Sequence, residues 1–242
     1  LLLLLITSMS FKNINDRNKW ESLSSPDFEK ISHNYLGIFH PYQQSGHSDI
    51  QEINYIENQE NVNFDIISLY LPWDEQGLDN FPNELVHSIY QKNAFPLITW
   101  EPWISGFANE DSPEDILANR NVFKFIAEGY FDDYIRKFVQ HLKRYDKAVC
   151  LRFAHEFDNP QYPWSESGNN SPEEFKKAWR HIHDIIKAED AHKILLVWNP
   201  WKARNFMRYY PGDEYVDWVG FTLLNYGALN DDGENYSFSE LY

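Results

Sequence analysis

Six strand-length apolar runs, separated by amphipathic segments, restrict what this chain can fold into more than any other feature. They are Tyr35 to Phe39, Asp65 to Leu71, Phe95 to Trp100, Val149 to Ala154, Ile194 to Trp198 and Trp218 to Leu223. Each is almost continuously apolar, as strands covered on both faces are; a half-exposed strand would alternate. The segments between them read as helices. Ser171-Pro172-Glu173-Glu174 is a capping box with proline at the first helical position. It leads into Phe175, Ala178, Trp179, Ile182, Ile185 and Ile186, a stripe of period 3.6. Phe131, Tyr134, Ile135, Phe138 and Leu142 repeat that pattern, and Ser112-Pro113-Glu114-Asp115 marks another helix start. Strand followed by helix, repeated, predicts a parallel sheet in an α/β protein.

The first run is not followed by a glycine-rich phosphate loop, which favours a barrel over a dinucleotide-binding sheet. A closed (β/α)₈ TIM barrel has eight strands in about 250 residues. Six are legible in these 242 residues. The expectation is an incomplete (β/α)₈ barrel, about six of eight βα units, with the last two lacking and the chain inactive on its own. Residues 11–242 are read as this single barrel domain. Residues 1–10 open with Leu1 to Leu5 and Ile6, too short an apolar stretch to span a bilayer. They read as the remnant of a signal peptide or membrane anchor, so an extracellular or periplasmic location, membrane-anchored at most through that segment, is expected.

A net charge of −16 repels phosphate backbones and anionic membrane surfaces, so no nucleic-acid partner is expected; a neutral polysaccharide is compatible with it. Cys150 is the single cysteine, in the apolar run Val149-Cys150-Leu151; it excludes an internal disulfide and reads as a buried, inert thiol. His155-Glu156 is not a zinc-protease motif, because Asn159 stands where the second histidine would be. No metal or cofactor is expected, and the protein is read as a monomer. Aromatic residues make up 17% of the chain, more than a core needs, so some rings are expected to line a groove where the apolar faces of sugars stack.

Polar and aromatic residues gather just after the runs, where barrel enzymes place their active sites. The third run is followed by Glu101-Pro102-Trp103. The fourth continues Arg152-Phe153-Ala154-His155-Glu156-Phe157-Asp158, the fifth ends Trp198-Asn199-Pro200-Trp201, and the sixth leads to Asn225-Tyr226. Glu156 is the foremost catalytic candidate. A carboxylate directly after a buried strand is costly unless it pairs or keeps its proton, and a general acid must keep its proton. The plain alternative is an ion pair with Arg152.

At these residues the chain resembles glycoside hydrolase family 26, the β-mannanase family. Arg152-Phe153-Ala154-His155-Glu156, followed by Tyr162-Pro163-Trp164, is similar to that family's fourth-strand signature. The resemblance runs from about Tyr35 to the end and includes Tyr210-Pro211-Gly212-Asp213-Glu214-Tyr215-Val216-Asp217-Trp218-Val219-Gly220. It implies that Glu156 is the acid/base of a retaining mechanism and that His155 helps hold the sugar at the −1 subsite. Tyr226 matches the sixth-strand tyrosine that orients the nucleophile. Trp164 and Trp103 are candidate stacking surfaces, Trp198 and Asn199 candidate cleft residues, and Glu101 and Arg152 candidate ligands of sugar hydroxyls. Each has a plain reading in core packing or pairing. Two departures stand out. The family pattern His-Glu-Met-Asn with a nearby Trp becomes His155-Glu156-Phe157-Asp158, with Gln161 near the Trp position. The family's nucleophile, a Glu at the end of the seventh strand, lies beyond the six runs.

The resemblance implies an endo-glycosidase on β-linked polysaccharide, with β-1,4-mannan first and β-glucan or β-1,3-xylan as near alternatives. A different class of function also fits the altered loop and apolar start: a non-catalytic, carbohydrate-binding barrel serving polysaccharide synthesis or export. A glutamate at the end of a seventh strand in the full gene would discriminate the two.

Overall fold

A computed structural model describes residues 2–6, 35–41, 46–202, 205–223 and 237. Six parallel strands follow one another in chain order: β1 (Tyr35–Phe39), β2 (Ile66–Pro72), β3 (Phe95–Glu101), β4 (Val149–Phe153), β5 (Ile194–Trp198) and β6 (Trp218–Val219). Leu2–Ile6 runs antiparallel along β1, pairing Leu2 with Phe39 and Ile6 with Tyr35. The helices α1 (Ile50–Glu60), α2 (Asn83–Gln91), α3 (Glu114–Leu117), α4 (Val122–Ala127), α5 (Asp132–Lys143), α6 (Pro172–Ala188) and α7 (Phe206–Tyr209) lie in the connections. The sheet is an open half-barrel, as six of eight expected units imply.

The capping box forms as read: Ser171 Oγ accepts the Glu174 N–H, and the Glu174 carboxylate accepts the Ser171 N–H. The stripe from Phe175 to Ile186 on α6 is buried, as are Ile135, Phe138 and Leu142 on α5. One expectation fails in extent. The sixth run forms a strand only over Trp218–Val219 rather than to Leu223. Its ladder ends with the Gly220 N–H on Trp198 O, because β5 then leaves the sheet through Asn199 and Pro200, and proline has no N–H to continue the pairing.

Register explains where the core ends and the site begins. Ser68, Leu97, Cys150 and Leu195 are lateral neighbours across β2 to β5. Side chains alternate faces along a strand, so the next row on that face is Tyr70, Thr99 and Arg152. The inner face thus passes from apolar to polar within one strand period, toward the strand C-termini. Leu97, Cys150, Leu195, Val197 and Trp218 form the inner apolar cluster, and burial pushes the Cys150 thiol well up, consistent with an inert packing role. The opposite face, with Ile98, Leu151 and Leu196, packs under the helices in the larger core around Trp73, Trp100, Phe138 and Phe153. Among the described residues no helix is long and apolar enough to cross a membrane.

Candidate active site

Arg152 organises the polar row. Its Nε donates to Thr99 Oγ1 at 2.9 Å, Nη1 to Asn199 Oδ1 at 3.1 Å and Nη2 to the Tyr70 hydroxyl at 3.1 Å. The ion pair with Glu156 offered as an alternative is not what this guanidinium makes. Asn199 carries the link onward: its Nδ2 donates to Pro200 O, Gly220 O and Thr222 Oγ1. The ends of five neighbouring strands, β2 to β6, are therefore cross-linked by one buried cation and one buried amide.

Directly after β4 the backbone turns sharply. Ala154 and Glu156 both adopt left-handed conformations, with φ of 44° and 50°. Such geometry costs a non-glycine residue on the order of 1 kcal/mol and persists only where the surroundings impose it. Here the Ala154 N–H donates to Trp100 O and the Glu156 N–H to Asn199 O at 2.8 Å. These bonds to β3 and to the residue following β5 hold the turn from both sides. Glu156 ends up 9% exposed. Its Oε2 accepts the Asn159 Nδ2 at 2.7 Å.

His155 is 3% exposed and shares a hydrogen bond with the Tyr162 hydroxyl through Nε2 at 3.0 Å. Its buried Nδ1 has no partner among the described residues. Burial, reinforced by the nearby Arg152 charge, holds its pKa well below the usual histidine value, so the ring is neutral. Glu101 lies at the end of β3. Burial pushes its carboxyl above the ordinary range, against the opposing pull of the Trp103 Nε1 hydrogen bond and Arg152.

The structure encloses two candidate rings, Trp164, offered as a stacking surface, and Trp198, offered as a cleft residue with packing as its plain reading. Trp164 is 0% exposed. Its Nε1 donates to His155 O, Tyr162 stacks on its face at 4.6 Å and Trp103 meets it edge-on at 5.1 Å. Trp198 is equally enclosed, among Phe157, Phe206 and Tyr210. Neither offers a face for stacking. Trp103 keeps partial exposure, and so do Tyr162 and Trp201. The loop bearing Tyr162 and Trp164 is closed by Asn170, whose Nδ2 donates to Pro163 O while its Oδ1 accepts the Phe123 N–H. Glycine is obligatory at Gly168, where a Cβ would sit 1.7 Å from Pro163 O. Tyr226 lies outside the described residues.

Sequence reading missed Tyr70, Thr99, Asn159 and Tyr162. Thr99 and Tyr70 share a face with Arg152 by strand parity, but the register that sets them side by side is not written locally. Asp158, noted only as a departure, proves to be a loop anchor: its carboxylate accepts the Trp201 N–H at 2.6 Å, the Lys202 N–H at 3.0 Å and Asn205 Nδ2 at 2.8 Å. No group of three or more His, Cys, Asp or Glu is placed to hold a metal ion among the described residues.

A parallel α/β half-barrel with a buried carboxylate and a neutral histidine at its strand C-termini defines a barrel enzyme-like domain. The chain belongs to a particular family within that class: the Glycosyl hydrolase family 26 profile matches residues 84–240. It is similar to endoglucanase H of Acetivibrio thermocellus, 28% identical over 187 residues, covering 74% of this chain and 19% of that protein. β-1,3-Xylanase TXYA of a Vibrio species is 33% identical over 112 residues, covering 44% of this chain and 22% of that protein. The chain thus spans about a fifth of the length of these curated relatives. Among solved structures, the YdhT protein of Bacillus subtilis matches with a TM-score of 0.61 at 18% identity, over 85% of this chain and 66% of that one. That likeness is one of fold.

Proposed function

We propose that the whole protein is a retaining endo-glycoside hydrolase acting on β-linked polysaccharide, with β-1,4-mannan as its first substrate and Glu156 as general acid/base. One observation carries the reading: Glu156 sits on a strained, doubly pinned turn at the end of β4, buried, with one carboxyl oxygen held by Asn159. A side chain fixed this way is ready to act on a reacting atom without reorganising. In the first step Glu156 protonates the glycosidic oxygen as it departs, while a second carboxylate attacks the anomeric carbon. In the second step Glu156 takes a proton from the water that releases the sugar. The second carboxylate is assigned, on the family resemblance, to the end of a seventh strand, about 5–5.5 Å from Glu156 in a retaining enzyme. The neutral His155 and the partly exposed Tyr162 and Trp103 are proposed to border the sugar that is cleaved. Acting on a polysaccharide places the protein outside the cell in this reading.

The curated relatives named above are an endoglucanase and a β-1,3-xylanase, so the test must separate those linkages from mannan. The test is product analysis of the full-length protein on mannan, mixed-linkage β-glucan and β-1,3-xylan. Release of manno-oligosaccharides with retained anomeric configuration is expected, and it should vanish in Glu156→Ala. Cleavage of glucan or xylan alone would keep the mechanism and change the substrate. Binding of these glycans with no cleavage would favour the non-catalytic reading.

A further inference from the structure

Asn159 is buried, and its side-chain oxygen and nitrogen have different partners. Its Oδ1 accepts the Gln161 N–H at 3.1 Å, while its Nδ2 donates to Glu156 Oε2 at 2.7 Å. A backbone N–H is only ever a donor, so the first bond fixes which end of the amide is oxygen and leaves the NH₂ facing Glu156. The backbone of Asn159 is held just as firmly: its N–H donates to Glu156 O at 2.8 Å, and its carbonyl accepts the Tyr162 N–H at 3.0 Å. The amide cannot flip without giving up its bond to the Gln161 N–H and turning its oxygen toward Glu156.

We propose that Asn159 is a positioning residue for Glu156, which orients the carboxyl group and confines its acid proton to Oε1. The inference rests on the acid/base reading of Glu156. Its chemistry follows from donor and acceptor roles. An N–H pointing at Oε2 leaves only Oε1 for the proton of the neutral acid, so the proton is presented from one defined oxygen. The same N–H stabilises the carboxylate that must later accept a proton from water. Sequence reading assigned Asn159 no such role; its position merely excluded a zinc motif.

Tyr162, in the following loop, is within electrostatic reach of Glu156; the same hydroxyl is bonded by His155 and senses Arg152 on β4, Glu101 at the end of β3 and Tyr70 on β2. Asp158 and Lys202 flank the turn. All are retained in Asn159→Ala, so a change in its pH behaviour reads the amide itself.

The experiment uses the full-length protein with Asn159→Ala and Asn159→Asp. The aspartate variant keeps the acceptor for the Gln161 N–H and replaces only the donor that faces Glu156. Selective ¹³C labelling of glutamate side chains gives the titration midpoint of Glu156, assigned by the signal lost in Glu156→Gln. In Asn159→Ala that midpoint is expected to rise by about one pH unit, the effect of losing one hydrogen bond to a charged group. In Asn159→Asp, which adds a like charge, it should rise further. The alkaline limb of kcat/KM on polysaccharide should move upward with it, and kcat should fall about tenfold or more, because the proton is no longer aimed. An unchanged midpoint in both variants overturns the proposal whether or not the enzyme turns over. Full activity of Glu156→Ala would instead overturn the acid/base reading on which it rests. If Asn159→Ala does not fold, Asn159→Ser takes its place, since its hydroxyl can still accept the Gln161 N–H and it adds no charge.

Discussion

Arg152 donates through Nη1 to Asn199 Oδ1 at 3.1 Å, joining β4 to the residue that follows β5. The bond matters because neither partner stops there. Arg152 also holds Thr99 on β3 and Tyr70 on β2, and Asn199 reaches Gly220 and Thr222 beside and beyond β6. The Glu156 turn rests on the same Asn199 through its carbonyl. Removing the guanidinium therefore leaves several buried polar groups without partners. Arg152→Met in the full-length protein is expected to lower unfolding free energy by about 3 kcal/mol, measured in urea. A loss below about 0.5 kcal/mol, within the range of ordinary surface substitutions, would show that the network is not structural.

Glu156→Ala should cut turnover of polysaccharide by about 10²–10⁴-fold, the range for general acid–base groups, while the fold is retained. An aryl glycoside with a good leaving group needs little protonation, so its first step should be nearly normal. The glycosyl-enzyme would then accumulate, and added azide, which needs no general base, should restore turnover. Steady-state and burst kinetics check each part. Polysaccharide activity within a few fold of wild type would remove Glu156 from the mechanism.

The strands were legible because burial on both faces leaves a local mark: Phe95–Glu101 and Ile194–Trp198 stand within a residue of the apolar runs. Ser171 was legible as a helix cap for a similar reason, since its partner Glu174 is three residues away. The partners of Asp158 were not, because they lie 43 to 47 residues further on and reach it only when β5 packs beside β4. Aromatic rings were the hardest to read. Trp164 sits in a proline-flanked loop, a context that suggests exposure, yet Tyr162 and Trp103 cover it. Sequence distinguishes a ring from a polar side chain, but not a ring facing substrate from a ring supporting the one that does.

That distinction yields a prediction for Trp164. Truncating a fully buried tryptophan to alanine costs about 3–5 kcal/mol, and here it would also leave His155 O without its donor. Trp164→Ala should therefore lower the melting temperature strongly, and the remaining folded protein should bind oligosaccharide with altered geometry at His155 rather than with one lost stacking contact. Trp103→Ala, at a partly exposed ring, should show the reverse balance: a smaller loss of stability and weaker binding. Calorimetric melts paired with titration calorimetry separate the two. Equal stability losses in both variants would contradict the burial difference between these rings.

The last prediction concerns pH. His155 has a native-state pKa held well below 6.5 by burial and by Arg152, whereas the unfolded chain takes up its proton near 6.5. Between those two values the unfolded state binds more protons than the native state. Stability attributable to this residue is therefore fully present above about pH 6.5 and is lost as pH falls toward the native value. The slope of that loss approaches about 1.4 kcal/mol per pH unit for one proton. Glu101 acts in the opposite sense, because its native pKa is raised: its contribution is present below the unfolded value and fades as pH rises through the native one. A comparison at single residues is thus needed. Wild-type protein and His155→Gln should be unfolded in urea at intervals from pH 7.5 down to 4.5, so that every other titrating group is common to both. The difference in stability between them is expected to be flat above pH 6.5 and to change steeply below it, with wild type losing more. A difference that stays constant across the whole range would mean that His155 takes up its proton equally in the folded and unfolded states, and that burial does not hold this imidazole neutral as pH falls.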